Sequence, residues 1–185
     1  MMADYTNIPL NMTKEEQRFL ITHAQEAKRG MVELGACWGK SSIDLGRIAR
    51  IKELPMICVD TWEDDNFYNG WVQNIEDAGL TDDITPLRMS SYDACPVVGK
   101  NYKNKIDFIF IDADHSYEAI KADFENWSPL LALPAIVVFH DIDVSCFGVK
   151  QFYGELCRKY KHAEQDNIGA IFLSDQRRRT TTKKG

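Results

Sequence analysis

The sequence has little positive charge in its body, no long apolar run and no paired cysteines. Its five cysteines (Cys37, Cys58, Cys95, Cys146 and Cys157) are odd in number, scattered, and form no C-x-x-C pair. That pattern speaks against a disulfide framework or a cysteine-rich zinc site and fits reduced thiols. No stretch of about 18 apolar residues is present, so no membrane-spanning helix is expected. Met1 to Glu16 is polar and lacks the apolar centre of a secretory signal, which makes a cytoplasmic location the expectation. The net charge is −6, yet Arg177, Arg178, Arg179, Lys183 and Lys184 all fall in the last ten residues. The remainder carries 17 basic against 28 acidic residues. Such an acidic body is a poor surface for tracking phosphates, so nucleic acid is not an expected partner. Residues 176–185 read as a basic, disordered tail.

What is present is an alternation. At 185 residues, 44% apolar and 27% charged, the chain is long enough for one globular domain with a substantial core. Short runs rich in Ile, Val, Leu and Phe occur at 31–35, 56–60, 84–88, 106–112 and 135–140. Runs of this kind suit a parallel sheet covered on both faces. Between them lie helical stripes: Phe67, Trp71, Ile75 and Ala78; Ile120, Phe124, Trp127 and Leu131; Val149, Phe152, Leu156 and Tyr160. Their aromatic residues read as core packing. Thr13-Lys14-Glu15-Glu16 is a capping box that opens a helix running to near Gly30. The stretches 161–166 and 169–173, joined around Asn167, read as two strands paired antiparallel. The expected fold is α/β: a doubly wound, Rossmann-like, seven-stranded and mostly parallel sheet with one antiparallel edge strand. An N-terminal helical segment (1–30) precedes the main domain (31–175).

One turn stands out. Val32-Glu33-Leu34-Gly35-Ala36-Cys37-Trp38-Gly39-Lys40-Ser41 reads as a strand ending in an acid, a glycine-punctuated turn, and the start of a helix. Glycines there let backbone approach a ligand, and unpaired N–H groups of the new helix can receive its polar groups. The G-x-x-x-G spacing differs from the G-x-G-x-x-G of dinucleotide-binding dehydrogenases. Glu33 suits a cationic amino group better than a pyrophosphate. Together these features point to S-adenosylmethionine.

Ligands of open α/β sheets bind beyond the carboxyl ends of the strands. Strand two ends in Asp60, placed to accept ribose hydroxyls. Strand three is followed by Ser90, Ser91 and Tyr92, which can frame an adenine or form a plain polar loop. Strand four ends Asp112-Ala113-Asp114-His115, and strand five ends His140-Asp141. Three carboxylates and two imidazoles on one rim repel or compete unless a cation or substrate uses them.

With these residues assembled, the chain resembles the class I S-adenosylmethionine-dependent methyltransferases, and among them the small O-methyltransferases of the catechol and caffeoyl-CoA type and their bacterial relatives. The resemblance runs from about residue 30 to 173. It rests on Glu-Leu-Gly-Ala-x-x-Gly-x-Ser at 33–41, Val-Asp at 59–60, Ile-Asp-Ala-Asp-His-Ser-Tyr-Glu at 111–118, Phe-His-Asp at 139–141 and Gly-Val-Lys-Gln-Phe at 148–152. It implies that Glu33 holds the methionine amino end, with Gly35, Ala36, Gly39 and Ser41 along the methionine portion. It further implies Asp60 at the ribose, Ser91 and Tyr92 at the adenine, and Asp112 between cofactor and metal. Asp112, His140 and Asp141 fall at the positions of divalent-metal ligands, and His115 where the catechol-type enzymes carry a catalytic lysine.

Three departures qualify it. His140 replaces an oxygen ligand, which turns preference from magnesium toward manganese or another transition metal. Leu133-Pro134-Ala135 stands where relatives have Pro-Gly-Gly, and the N-terminal region that helps cover the acceptor is short. The expected activity is O-methylation of a small hydroxylated acceptor, with a homo-oligomer left open. A non-catalytic cofactor-binding module, an RNA methyltransferase and a nicotinamide-dependent oxidoreductase remain as alternatives.

Overall fold

The apolar runs become strands because burial on both faces rewards branched and aromatic side chains at every position. In the computed structural model, which describes Ile8, residues 12–143 and residues 146–174, seven strands make one sheet. They are β1 (Met31–Leu34), β2 (Met56–Asp60), β3 (Ile84–Arg88), β4 (Phe108–Ile111), β5 (Ala135–His140), β6 (Lys161–Gln165) and β7 (Ile168–Leu173). The helices are α1 (Lys14–Ala24), α2 (Lys40–Lys52), α3 (Asp65–Asp77), α4 (Ser91–Tyr102), α5 (Tyr117–Trp127) and α6 (Phe147–Cys157). The basic tail expected at 176–185 lies outside the described residues. Among the described residues no helix is long and apolar enough to cross a membrane.

The strand order is β3-β2-β1-β4-β5-β7-β6. From β1 the chain winds first toward β3, then returns to β4 and winds the other way. The change of direction opens a crevice beyond the ends of β1 and β4, the usual ligand position in such sheets. β1 to β5 are parallel. β7 is reversed against both β5 and β6, so the reversed strand sits one place in from the edge.

Alternation along each strand divides the core. Val32 and Leu34 pack with Ile120, Phe124 and Trp127 of α5 and Val149 of α6. Met31, Cys58 and Phe110 pack with Leu20 of α1, Ile43 of α2 and Trp71 of α3. Period 2 places Glu33 on the same face as Met31. The stripe of α5 is buried throughout, whereas Phe67 at the start of the α3 stripe is 39% exposed.

One boundary differs from expectation. The first helix stops at Ala24 and does not continue to Gly30. The backbone N–H groups of Lys28, Arg29 and Gly30 donate instead to the Asp107 carboxylate, at 3.0–3.4 Å. A carboxylate just ahead of β4 thus takes donors that a longer helix would have used.

Candidate active site

The glycine turn is held at the crevice from three sides. Gly35 N–H donates to Val59 O, and Asp112 N–H donates to Leu34 O, each at 2.8 Å. Gly35 has φ +89°, and a Cβ there would lie 2.0 Å from Asp112 O. No other residue fits that approach of β1 to β4. Gly39, also left-handed at φ +85°, precedes α2 without any side-chain cap. The first N–H groups of α2 therefore have no side-chain partner from that position. Ser41 is buried in the first turn of this helix.

Asp60 fastens this turn to β2. Its Oδ2 accepts from the N–H of Ala36 and of Cys37, both at 2.9 Å, and its Oδ1 accepts from Trp62 N–H at 2.8 Å. A carboxylate offers about four acceptor positions. Three are in use, so one remains for a ribose hydroxyl; receiving both requires a turn N–H to yield.

Glu33 is completely enclosed. Its Oε2 accepts from Ser42 Oγ and from the Cys58 thiol, while Oε1 has no partner. Burial raises its pKa from 4.5 to about 7, against the lowering effect of Ser41, Ser42 and Cys58. A carboxyl whose folded pKa is raised stabilises the fold most when protonated, and that stability is lost as pH climbs from about 4.5 through about 7. Glu33→Gln is thus expected to lose less thermal stability than wild type between pH 5 and pH 8. Melting curves across that range check this, and parallel pH profiles for the two proteins would count against it.

Beyond β4 and β5 the titratable residues converge. His115 Nε2 lies 2.9 Å from Asp141 Oδ2 and 3.7 Å from Asp112 Oδ1. His140 Nδ1 lies 3.2 Å from Asp141 Oδ2 and 3.5 Å from Asp112 Oδ1. His140 is 3% exposed, and neither ring nitrogen makes a directed hydrogen bond. Burial works against the His140 cation, but Asp112 and Asp141 outweigh it and raise its pKa to about 10. Burial likewise opposes the Asp112 carboxylate, yet His115 and His140 hold its pKa below the usual range. Asp141 is lowered chiefly by His140. Asp114 does not join them: it is exposed and accepts the N–H of Ser116 at 2.7 Å. Ser91 and Tyr92 open α4 beside the crevice; the Ser91 hydroxyl donates to Asp123, and the Tyr92 side chain is 72% exposed.

Two residues of this centre carry no signal that composition or motif reading picks up. Glu16, legible only as half of a capping box, is buried; besides Thr13 N–H at 2.6 Å it accepts Asn167 N–H at 3.0 Å and faces His140 Nε2 at 3.8 Å. Asn167, legible only as a turn residue, donates from Nδ2 to Asp141 Oδ1 at 2.7 Å and accepts Asp143 N–H at 2.8 Å. It leaves Asp141 Oδ2 aimed at the histidines. Asp141 itself adopts φ +60°, a strained value for a non-glycine residue and one that its neighbours must hold in place. Asn167→Ala should cost about 1–3 kcal/mol by removing a charge-assisted bond, seen as a Tm lower by several degrees. An unchanged Tm would show that Asp141 is held by other means.

A family profile described as Methyltransferase domain matches residues 32–142, from β1 to just past Asp141. The chain belongs to this methyltransferase family. Uncharacterized protein y4gI of Sinorhizobium fredii (strain NBRC 101917 / NGR234) is 31% identical over 162 residues. That match takes in 82% of the chain but only 18% of the much longer relative. Among solved structures, the O-methyltransferase TomG of Streptomyces achromogenes, in complex with SAM and involved in tomaymycin synthesis, superposes with a TM-score of 0.72. It is 16% identical, with 89% of this chain and 82% of TomG covered. Cofactor-bound Rv0187 from MTB gives a TM-score of 0.73 at 17% identity, covering 90% and 84%. The Bacillus cereus O-methyltransferase in complex with SAH gives 0.67 at 20% identity, covering 90% and 85%. At these identities the structures establish the shared fold of the methyltransferase.

Proposed function

We propose that this methyltransferase takes S-adenosylmethionine as donor and methylates an oxygen of a small hydroxylated acceptor. The observation that carries the reading is the meeting of two half-sites at the switch point. The glycine turn with Asp60 lies on one side, and the rim of Asp112, His115, His140 and Asp141 on the other. TomG and the Bacillus cereus protein, described with SAM and SAH, share this fold and support the choice of donor.

The residues fit that donor. Glu33 Oε1 is a buried acceptor without a partner, which an ammonium group would satisfy. Gly35, Ala36, Gly39 and Ser41 present backbone and a hydroxyl to the methionine portion, Asp60 has one acceptor position left, and Ser91, Tyr92 and Asp112 border the remainder. When bound, the donor supplies a methyl group on an activated sulfonium. Asp112, His140 and Asp141 fit a divalent cation, since their donor atoms all lie within 4.8 Å of one another. When bound, the cation supplies Lewis acidity that lowers the pKa of a coordinated hydroxyl.

The chain's own residues then orient the acceptor and take its proton. His115 is the exposed member of the rim, with 44% of its side chain accessible, and Asp141 at 2.9 Å fixes its ring. With Nε2–H turned to Asp141, the other ring nitrogen can receive the proton of an acceptor hydroxyl held over the crevice. Labelled-methyl transfer tests the reading across catechols, sugars and hydroxylated natural products. Label should appear on oxygen, deoxy analogues should be inert, and chelation followed by gel filtration should remove turnover until a divalent ion is restored. Transfer to nitrogen or carbon acceptors alone would reject O-methylation, and full turnover in metal-free protein would reject the role of the cation.

A further inference from the structure

A second cluster of metal-ligating side chains lies away from the crevice, where α6 ends and β6 begins. The sulfur of Cys157, one ring nitrogen of His162 and one carboxylate oxygen of Glu164 lie within 4.8 Å of one another. Their meeting follows from local geometry. Cys157 is the last residue of α6, and a short turn returns the chain as the edge strand β6. Period 2 puts His162 and Glu164 on one face of that strand. Ile171, the β7 partner of His162, packs with Val149, Phe152 and Leu156, so this is the face that α6 covers. The Tyr153 hydroxyl donates to Ala163 O at 3.1 Å and fastens the strand to the helix. Lys161 turns to the opposite face, with Nζ 5.4 Å from the centre of the Phe172 ring.

The donors are those of a borderline ion. The Cys157 thiol faces Glu164 Oε1 at 3.8 Å. A tetrahedral zinc ion, with bonds of about 2.3 Å to sulfur and 2.0–2.2 Å to oxygen, sets such atoms about 3.5–3.7 Å apart. His162 Nδ1 lies 3.3 Å from Tyr160 O. A carbonyl only accepts, so in the neutral ring Nδ1 carries the proton and Nε2 keeps its lone pair. Metal-bound imidazoles are commonly oriented in this way. The carbonyls at the end of α6 add partial negative charge. Mixed sulfur, nitrogen and oxygen donors suit zinc-class ions and not magnesium.

We propose that Cys157, His162 and Glu164 bind a zinc-class ion, with water in the fourth place, and so clamp the end of α6 to the edge strand. On binding, the Cys157 thiol gives its proton to solvent and the sulfur takes the ion instead. The site shares no residue with the crevice or its rim, and it stands independently of the donor and cation readings given above.

The test titrates the reduced, metal-free full chain with Co2+, a spectroscopic probe for zinc, and follows the ultraviolet sulfur-to-cobalt charge-transfer band. Wild type should develop this band, and Zn2+ should erase it. Asp112, His140 and Asp141 offer no sulfur, so cobalt held by them adds nothing to the signal. Cys157→Ser should abolish the band, whereas Cys146→Ser, which removes the thiol near His115 and Asp141, should retain it. His162→Ala and Glu164→Gln should each need at least about tenfold more Co2+ for half the signal, the lower end of what even an outer-shell partner commands. Circular dichroism checks the fold of each variant, and Cys157→Ala replaces the serine variant should that one not fold. No band in wild type, or one that survives Cys157→Ser, overturns the site. Loss of the band in Cys146→Ser places the sulfur ligand at the rim and overturns it equally. Wild-type affinity in both His162→Ala and Glu164→Gln leaves a lone thiol as the cobalt ligand and overturns the three-donor set.

Discussion

With Mg2+ or Mn2+ supplied, His115→Ala is expected to lower kcat by about 10²–10⁴-fold, the usual contribution of a positioned base. The alanine leaves the hydroxyl proton without an acceptor, while Glu33, the glycine turn and Asp60 are untouched. Affinity for S-adenosylhomocysteine should therefore stay near wild type, so the loss falls on kcat and not on cofactor binding. The pH profile carries a second signature. Asp112 raises the His115 pKa, aided by Asp141 and opposed by partial burial. Only neutral imidazole accepts a proton, so the wild-type profile should show an ascending limb; a cation held by Asp112 and Asp141 offsets the charges that raise this pKa and moves the limb to lower pH. In the variant that limb should vanish. A variant retaining more than about a third of wild-type kcat is incompatible with a base of ordinary strength and would assign His115 to ordering the loop into α5.

Asp60→Ala should weaken S-adenosylhomocysteine binding by about 1.5–3 kcal/mol, or about 10–150-fold, the range for charge-assisted hydrogen bonds. Two effects act together. The ribose loses its acceptor, and the N–H groups of Ala36, Cys37 and Trp62 lose theirs. Asp60→Asn separates them. Its remaining carbonyl oxygen can still accept from Ala36 and Cys37, so Tm should recover more fully than affinity does. Equal recovery of both would mean that Asp60 acts only by shaping the turn. Wild-type affinity in a folded Asp60→Ala protein would remove Asp60 from the cofactor site altogether.

Much of this architecture is written locally. The strands at 56–60, 84–88 and 135–140 are legible because fully buried parallel strands are continuous apolar runs, and their ends carry the acids that matter. Gly35 and Gly39 are legible because a turn at a strand end needs left-handed backbone. Glu16 and Asn167 are not legible, since each has a sufficient local role, one as a helix cap and the other as a turn residue. Their contacts with His140 and Asp141 span more than a hundred residues for Glu16, and a helix and a strand for Asn167. Period and propensity carry no information about such pairings. The same limit explains Asp107, whose hold on residues 28–30 ends the first helix early. Glu33 shows a subtler gap: its place in the motif is plain, but its complete burial follows only from the packing of α2 and β2 around it.

The central claim is that the crevice between β1 and β4 binds S-adenosylmethionine. Calorimetric titration of the intact protein with S-adenosylmethionine and S-adenosylhomocysteine, against NAD as control, tests it most directly. One-to-one binding of both sulfur compounds, weakened in Asp60→Ala and absent for NAD, is the predicted result. Binding of NAD with no heat from either sulfur compound would contradict it.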